Sequence, residues 1–147
     1  MQHKVVIVDD DAGIRRLFEN TFSDIGRILS AADGEAGLEL IKLEKPELVF
    51  LDIDMPGISG LEVLRLIKEA GLASVVWMLT GKEELSVITE AINLGASGYL
   101  TKPFEIVKVR GILRSVIMPE AGKNSDRPWR VKRKGGRDPG QQGKGKP

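Results

Sequence analysis

The chain has 147 residues, a formal net charge of +1, no cysteine and a single histidine. Its length predicts one domain, while the missing cysteines exclude disulfides and zinc–thiolate sites and the lone histidine excludes a multi-histidine metal site. No stretch approaches the roughly 18 consecutive apolar residues of a membrane span, and the N-terminus lacks the features of a signal peptide. We therefore predict a cytoplasmic protein without membrane insertion.

The apolar residues change period along the chain in a way that predicts strands alternating with helices. Short β-branched runs such as KVVIV are typical of strands buried on both faces, whereas apolar residues three or four positions apart indicate helices. In chain order, the predicted elements are strand 4–8, helix 12–22, strand 27–31, helix 34–44, strand 47–52, helix 60–70, strand 74–79, helix 84–94, strand 97–100 and helix 105–118. This alternation predicts an α/β fold, with a parallel sheet covered by helices on both faces.

Two of the predicted helices carry local signals of their own. Asp11 stands directly before helix 12–22 and is a typical N-cap residue. In helix 34–44, the spacing of Ala36, Leu40 and Leu43 predicts that these three residues face the core.

The pattern of alternating elements stops at residue 118. Residues 119–147 are rich in Gly and Pro and carry nine Lys and Arg against three acidic residues, a charge of +6, whereas residues 1–118 carry −5. Trp129 and Val131 are the only sizeable apolar residues of this tail, so it cannot bury enough surface to offset the entropy of ordering. We predict a folded domain over residues 1–118 and a basic, disordered tail over residues 119–147.

Polar and charged residues follow the ends of the predicted strands. The first strand is followed by Asp9, Asp10 and Asp11, the third by Asp52 and Asp54, the fourth by Thr80, and the fifth by Thr101 and Lys102. Ligands of open α/β sheets bind beyond the carboxyl ends of the strands. Each residue alone has an ordinary interpretation, such as a helix cap or a solvated lysine, but their joint placement predicts a functional site.

The residue types at this predicted site favour one kind of chemistry. Converging carboxylates without histidine or cysteine suit a hard cation, and Mg²⁺ is the usual choice beside phosphate. A lysine and a hydroxyl next to them are suitable ligands for phosphoryl oxygens. One of the carboxylates can itself be the nucleophile, which would give an aspartyl phosphate.

Residues 4–118 resemble the receiver domain of two-component response regulators. The resemblance rests on four motifs in order, VVIVDDD, LVFLDIDMPGISGLEVL, WMLTG and GASGYLTKPF, and on their spacings. It implies a flavodoxin-like (βα)5 fold, a doubly wound parallel sheet with strand order 2-1-3-4-5. It also implies a phosphoprotein of phosphorelay signal transduction that is not an enzyme beyond its own phosphorylation and dephosphorylation.

The resemblance assigns the acidic residues. Asp52 matches the phosphoacceptor, and Asp9 and Asp10 match the acidic pair, with Asp10 a direct Mg²⁺ ligand and Asp9 acting through water. The backbone carbonyl of Asp54 matches the remaining protein ligand. The Asp54 side chain matches one of the positions that tune the lifetime of the phosphorylated form.

The resemblance also assigns the other residues at the strand ends. Thr80 matches the hydroxyl that moves onto the phosphoryl group, and Tyr99 matches the aromatic switch that turns inward with it. Lys102 matches the lysine that pairs with the phosphate and is usually followed by a cis proline, here Pro103. Gly81 and Lys82 match further positions that influence the phosphate lifetime.

Two other functions stay open from the sequence. The DxD pattern of Asp52 and Asp54 also fits an aspartyl-phosphate phosphatase of the haloacid-dehalogenase type, although the acidic pair then stands on the wrong side of it. A degenerate receiver that acts as a phosphorylation-independent interaction module is the other alternative.

The implied partners follow from the same resemblance. The phosphate donor would be a sensor histidine kinase or a phosphotransfer protein. Output would pass through the face formed by helix 84–94, strand 97–100 and helix 105–118, which would bind a partner or form a homodimer. The tail has two interpretations: nucleic-acid binding through its basic residues, or a solvated linker.

Overall fold

The computed structural model describes residues 2–81 and 84–119. Its strands are β1 (Lys4–Val8), β2 (Arg27–Ala31), β3 (Leu48–Asp52), β4 (Val75–Thr80) and β5 (Gly98–Thr101). Its helices are α1 (Ala12–Thr21), α2 (Gly34–Glu44), α3 (Gly60–Glu69), α4 (Leu85–Asn93) and α5 (Ile106–Ile117). All ten predicted elements are confirmed, each to within one residue at either end.

The five strands form one parallel sheet in the order β2-β1-β3-β4-β5. This confirms the predicted doubly wound fold with strand order 2-1-3-4-5. The order places β3 at the centre, with β1 on one side and β4 on the other. The carboxyl ends of these three strands therefore lie side by side.

Both faces of the sheet are buried, which explains the continuous apolar runs in the strands. In β1, Val5 and Ile7 belong to the core beneath α1 and α5, whereas Val6 and Val8 belong to the core on the opposite face. Successive side chains of a strand point to opposite faces, so a strand covered on both sides must be apolar at every position.

The core-facing residues predicted for α2 are wrong for Ala36 and Leu43, whereas Leu40 packs against the core as predicted. Ala36 is exposed, Leu40 is half-buried and Leu43 is 76% exposed, whereas the buried residues of this helix are Gly34, Gly37 and Ile41. A Cβ atom at Gly37 would lie only 2.7 Å from a methyl group of Val8. The helix thus approaches β1 through Gly37, while Gly34 lies against Ile58 and Val63, and a pattern based on large apolar side chains does not mark this face.

Trp77 packs inside the sheet core, as the apolar character of its strand predicts. The residue is 3% exposed, and its ring lies so close to β5 that a Cβ atom at Gly98 would be 2.6 Å from Cη2 of the indole. Gly98 is therefore required by the neighbouring tryptophan. Among the described residues, the helices are all too short or too polar to cross a membrane.

Candidate functional site

Three carboxylates meet at the carboxyl ends of β1 and β3. Asp9, Asp10 and Asp52 each offer an oxygen, and these atoms all lie within 4.8 Å of one another. The register pairs Val8 with Leu51, so the residues that follow in the two strands stand side by side. Asp9 is fully buried and Asp52 is 3% exposed, whereas Asp10 is open to solvent.

Asp9 is held in place by contacts to its backbone and its side chain. Its amide donates to the carbonyl of Ala31 at 3.1 Å, and its Oδ1 accepts from the amide of Asp11 at 2.9 Å. The side chain of Asp11 accepts from the amide of Gly13 and caps α1. Asp11 is therefore the predicted helix cap, whereas Asp9 and Asp10 belong to the carboxylate cluster.

Lys102 brings a positive charge to the buried carboxylates. Its Nζ lies 2.9 Å from Oδ2 of Asp9 and 3.4 Å from Oδ1 of Asp52. Its backbone amide donates to the carbonyl of Thr80 at 2.8 Å, and its peptide bond to Pro103 is cis. Burial lowers the pKa of Lys102, but the hydrogen bond and charge of Asp9, together with the charge of Asp52, outweigh it and raise the pKa overall.

The local environment raises the pKa of Asp52 to about 7 from an ordinary value of 3.8. Burial is the largest cause, followed by the negative charge of Asp9, while Lys102 acts in the opposite direction. Near neutral pH, the metal-free site therefore holds Asp52 partly protonated. A bound divalent cation would favour the ionised carboxylate.

Thr80 and Tyr99 belong to β4 and β5, which lie on the opposite side of β3 from β1. Leu79 pairs with Asp52 across β3 and β4, so Thr80 is the next residue beyond the level of Asp52, and it is buried. Tyr99 pairs with Met78 and is 40% exposed, so its ring lies towards the surface.

The positions predicted to set the phosphate lifetime lie around the mouth of this site. Asp54 is exposed in the loop after β3. Among the described residues, apart from its chain neighbours, no atom lies within 4 Å of a Cβ atom built on Gly81, so this part of the chain leaves the space beside it open. Lys82 lies outside the described residues.

The loop from β3 to α3 is closed by an unusually tight contact at Gly60. A Cβ atom at this position would lie 2.1 Å from the carbonyl oxygen of Asp52, and the Gly60 amide donates to the carbonyl of Ile53 at 2.9 Å. Any side chain larger than hydrogen would push α3 away from the end of β3. Gly60 thereby allows the start of α3 to lie against the backbone of Asp52.

Arg15 is the residue that sequence reasoning missed. Its Nη1 donates to the backbone carbonyl of Asp9 at 2.8 Å. Its neighbour Arg16 is exposed, and no pattern in the sequence distinguishes the two arginines. Arg15 contacts a backbone carbonyl, and a motif made of side-chain types cannot predict a contact to the backbone.

The donor set of the site suits a hard divalent cation. Asp9, Asp10 and Asp52 supply only carboxylate oxygens, and two of the three are buried beside Lys102. Mg²⁺ and Ca²⁺ prefer oxygen ligands, whereas zinc and copper favour nitrogen and sulfur. The residues present therefore fit the predicted Mg²⁺.

Comparisons with known proteins agree with this fold. Residues 5–114 match the response regulator receiver domain family. Sporulation initiation phosphotransferase F of Bacillus subtilis (strain 168) is 36% identical over 118 residues, which cover 80% of this chain and 95% of that protein. The probable transcriptional regulator ycf27 of Porphyridium aerugineum is 35% identical over 130 residues, which cover 86% of this chain and 54% of that protein.

Solved structures give the same result. Chemotaxis protein CheY4 of Vibrio cholerae is 28% identical, with a TM-score of 0.73 over 79% of this chain and 99% of that one. The chain spans about half the length of the transcriptional regulators it matches, with 54% and 49% of two of them covered. The chain belongs to the response regulator receiver domain family.

Proposed function

We propose that this receiver domain is a phosphoacceptor that takes a phosphoryl group onto Asp52 in a Mg²⁺-dependent reaction. The observation that carries the proposal is the buried Asp52 carboxylate, which stands within one cluster with Asp9, Asp10 and Lys102. Receiver domains are signalling domains and not classical enzymes. The donor we propose is the phosphohistidine of a sensor histidine kinase or phosphotransfer protein.

In the proposed reaction, an oxygen of ionised Asp52 attacks the phosphorus of the donor. The bond between phosphorus and the histidine nitrogen breaks, and the imidazole leaves with the electron pair of that bond. Lys102 would move its charge from Asp9 towards the phosphoryl oxygens, and the hydroxyl of Thr80 would donate to another of them. The protein's main contribution is the alignment of these groups.

The metal would be held by Asp9, Asp10, Asp52 and the backbone carbonyl of Asp54. When bound, Mg²⁺ supplies positive charge that offsets repulsion between the carboxylates and the incoming phosphoryl group. Asp54, Gly81 and Lys82 would then set the lifetime of the product by controlling how water approaches it.

The proposed output surface is the face formed by α4, β5 and α5. This face contains Tyr99 and exposed apolar residues of α4, with Leu85 77% and Ile92 44% exposed. Inward rotation of Tyr99 after movement of Thr80 would change this face, and partner binding or homodimer formation would follow. Nucleic acid would be bound only through the basic tail, which lies outside the described residues.

The test is phosphorylation by acetyl phosphate with Mg²⁺, followed by intact mass measurement. We expect wild type to gain about one phosphoryl group per chain, and Asp52→Asn and Asp52→Ala to gain none. Asp11→Asn is the matched control, because asparagine also caps a helix and the variant removes one carboxylate from the same acidic run.

The alternatives give different results in the same experiment. Hydrolysis of many equivalents of a phosphate ester would indicate a phosphatase. Absence of labelling in wild type, or labelling that survives in Asp52→Ala, would contradict the proposal and favour the interaction module.

A further inference from the structure

The backbone carbonyl of Asp9 lies just beyond the hydrogen-bond ladder of the sheet. The last strand bond made by this residue runs from its amide to Ala31, and β1 ends one residue earlier at Val8. The carbonyl is buried with its residue and would be costly to leave without a donor. Arg15 supplies that donor, with Nη1 2.8 Å away.

The first helix is built so that this contact can form. The Asp11 cap starts α1 at Ala12, and Arg15 lies one turn along it. Helical side chains lean towards the N-terminus of their helix, so the guanidinium returns to the strand end from which the helix departed. A hydrogen bond from a charged donor is about twice as strong as one between neutral groups.

We propose that Arg15 is a positioning residue that fixes the Asp9–Asp10 peptide for cation binding. The carbonyl that Arg15 contacts belongs to the peptide unit between Asp9 and Asp10. The orientation of this unit sets the position of the Asp10 Cα atom, and therefore the position from which the carboxylate side chain extends. Asp9 has its own anchors in Asp11 and Lys102, whereas Asp10 is exposed. This inference rests on the proposed function, because it assigns Arg15 to the same Mg²⁺ site.

Arg15 has two effects on a cation, and they have opposite signs. The guanidinium charge repels Mg²⁺, while the anchored peptide holds Asp10 ready for it. Residues that hold a ligand without touching the metal typically change affinity by roughly 10- to 100-fold. Anchoring is therefore expected to outweigh the repulsion, which is screened near the protein surface.

The experiment measures the Mg²⁺ dissociation constant of the full chain by calorimetry, together with urea unfolding in EDTA. We expect Arg15→Met to weaken binding roughly tenfold. Arg16→Met is the matched control, because it removes the same charge from the neighbouring exposed position, and it should leave the affinity unchanged or slightly higher. Arg15→Lys keeps one charged donor and should recover most of the loss.

Each other outcome contradicts the inference. Unchanged or tighter binding in Arg15→Met would mean that the repulsion dominates. A loss that Arg15→Lys does not recover would mean that arginine packing, and not the hydrogen bond, supports the site. If Arg15→Met does not fold in EDTA, Arg15→Gln, which is neutral and shorter, carries the same tenfold expectation.

The two proposals fail separately in this design. A wild-type chain that binds Mg²⁺ but is not labelled by acetyl phosphate overturns the proposed function and leaves the affinity comparison valid. A labelled wild type with equal affinities in Arg15→Met and Arg16→Met overturns only the role of Arg15.

Discussion

At the scale of single residues, Asp52 stands where two requirements conflict. Transfer to a carboxylate needs the ionised form, yet burial and the charge of Asp9 favour the protonated one. Lys102 relieves part of this conflict but lies nearer to Asp9 than to Asp52, at 2.9 Å against 3.4 Å. Without a metal, the site therefore favours the protonated form of Asp52, and a bound cation would favour the ionised form that the transfer needs.

This conflict predicts that Asp52→Asn stabilises the metal-free protein at alkaline pH. Because the folded pKa is about 7 and the ordinary value is 3.8, the folded state keeps a proton that the unfolded chain has lost. The stability of wild type therefore falls as pH rises from about 4 to 7, whereas asparagine has no proton to lose. We expect the free energy of unfolding to rise by up to about 4 kcal/mol near pH 8, and by less than half of that near pH 5.

Urea unfolding in EDTA at these two pH values measures the difference. Added Mg²⁺ is the control, since it should stabilise wild type far more than the variant. Parallel pH profiles for the two proteins would show that Asp52 does not titrate in this range.

The meeting of Asp9, Asp10, Asp52 and Lys102 at one edge of the sheet could be predicted from the sequence, but their electrostatic state could not. Asp52 ends a strand and the other three follow strands, and strand ends are visible as breaks in apolar runs. The pKa of Asp52 depends on burial and on distances to charges from other strands, and no local pattern contains these. The contact of Arg15 with a backbone carbonyl was hidden for the same reason.

At the scale of elements, the helices and strands were predicted almost to the residue, whereas the orientation of α2 was not. Hydrophobic periodicity locates large apolar side chains. Where a helix packs at a glycine, however, it is the backbone that is buried at that position, and the apolar pattern does not show it. Gly37 lies against Val8 of β1 and Gly34 against Ile58 and Val63, whereas Leu43 is exposed. How closely two backbones approach depends on the packing of helices and sheet in the folded protein, and the spacing of apolar residues in the sequence does not reveal it.

A second close approach predicts that Gly60→Ala separates α3 from the end of β3. The added Cβ atom would lie 2.1 Å from the Asp52 carbonyl oxygen, so backbone must move. We expect a loss of roughly 3 kcal/mol or more in the free energy of unfolding, and weaker Mg²⁺ binding because the Asp52 backbone shifts.

Gly71→Ala provides the comparison for that variant. Gly71 has a φ of +72°, but no described atom beyond its chain neighbours lies within 4 Å of its Cβ position, so alanine there adds conformational strain without a clash in the described structure. A loss of about 1–2 kcal/mol with unchanged Mg²⁺ affinity is expected. Equal losses in both variants would contradict the steric explanation.

At the scale of the whole molecule, we propose that charge and fold divide the chain at the same place. Helix α5, the last one among the described residues, ends at Ile117, and the excess of Lys and Arg begins after it. We propose that residues 1–118 fold as a unit and that residues 119–147 contribute no stability to it. The acidic body and basic tail would then serve different partners.

Truncation after residue 118 tests this division. We expect the shortened chain to unfold with a free energy within about 0.5 kcal/mol of the full chain, because every core residue that the structure describes is kept. Any salt-dependent binding to DNA by the full chain should disappear with the tail. A large loss of stability on truncation would show that the tail packs on the domain.

The contact between Trp77 and Gly98 gives the chain an optical reporter of its own. The indole lies against the β5 backbone, three residues before Thr80 and one strand away from Tyr99. Indole emission responds to small changes in surrounding polarity, so a shift of β5 against β4 would change the fluorescence without any attached dye. Trp129 is the only other tryptophan, so in the truncated chain the signal comes from this one position, which lies on the two strands that carry the proposed switch residues.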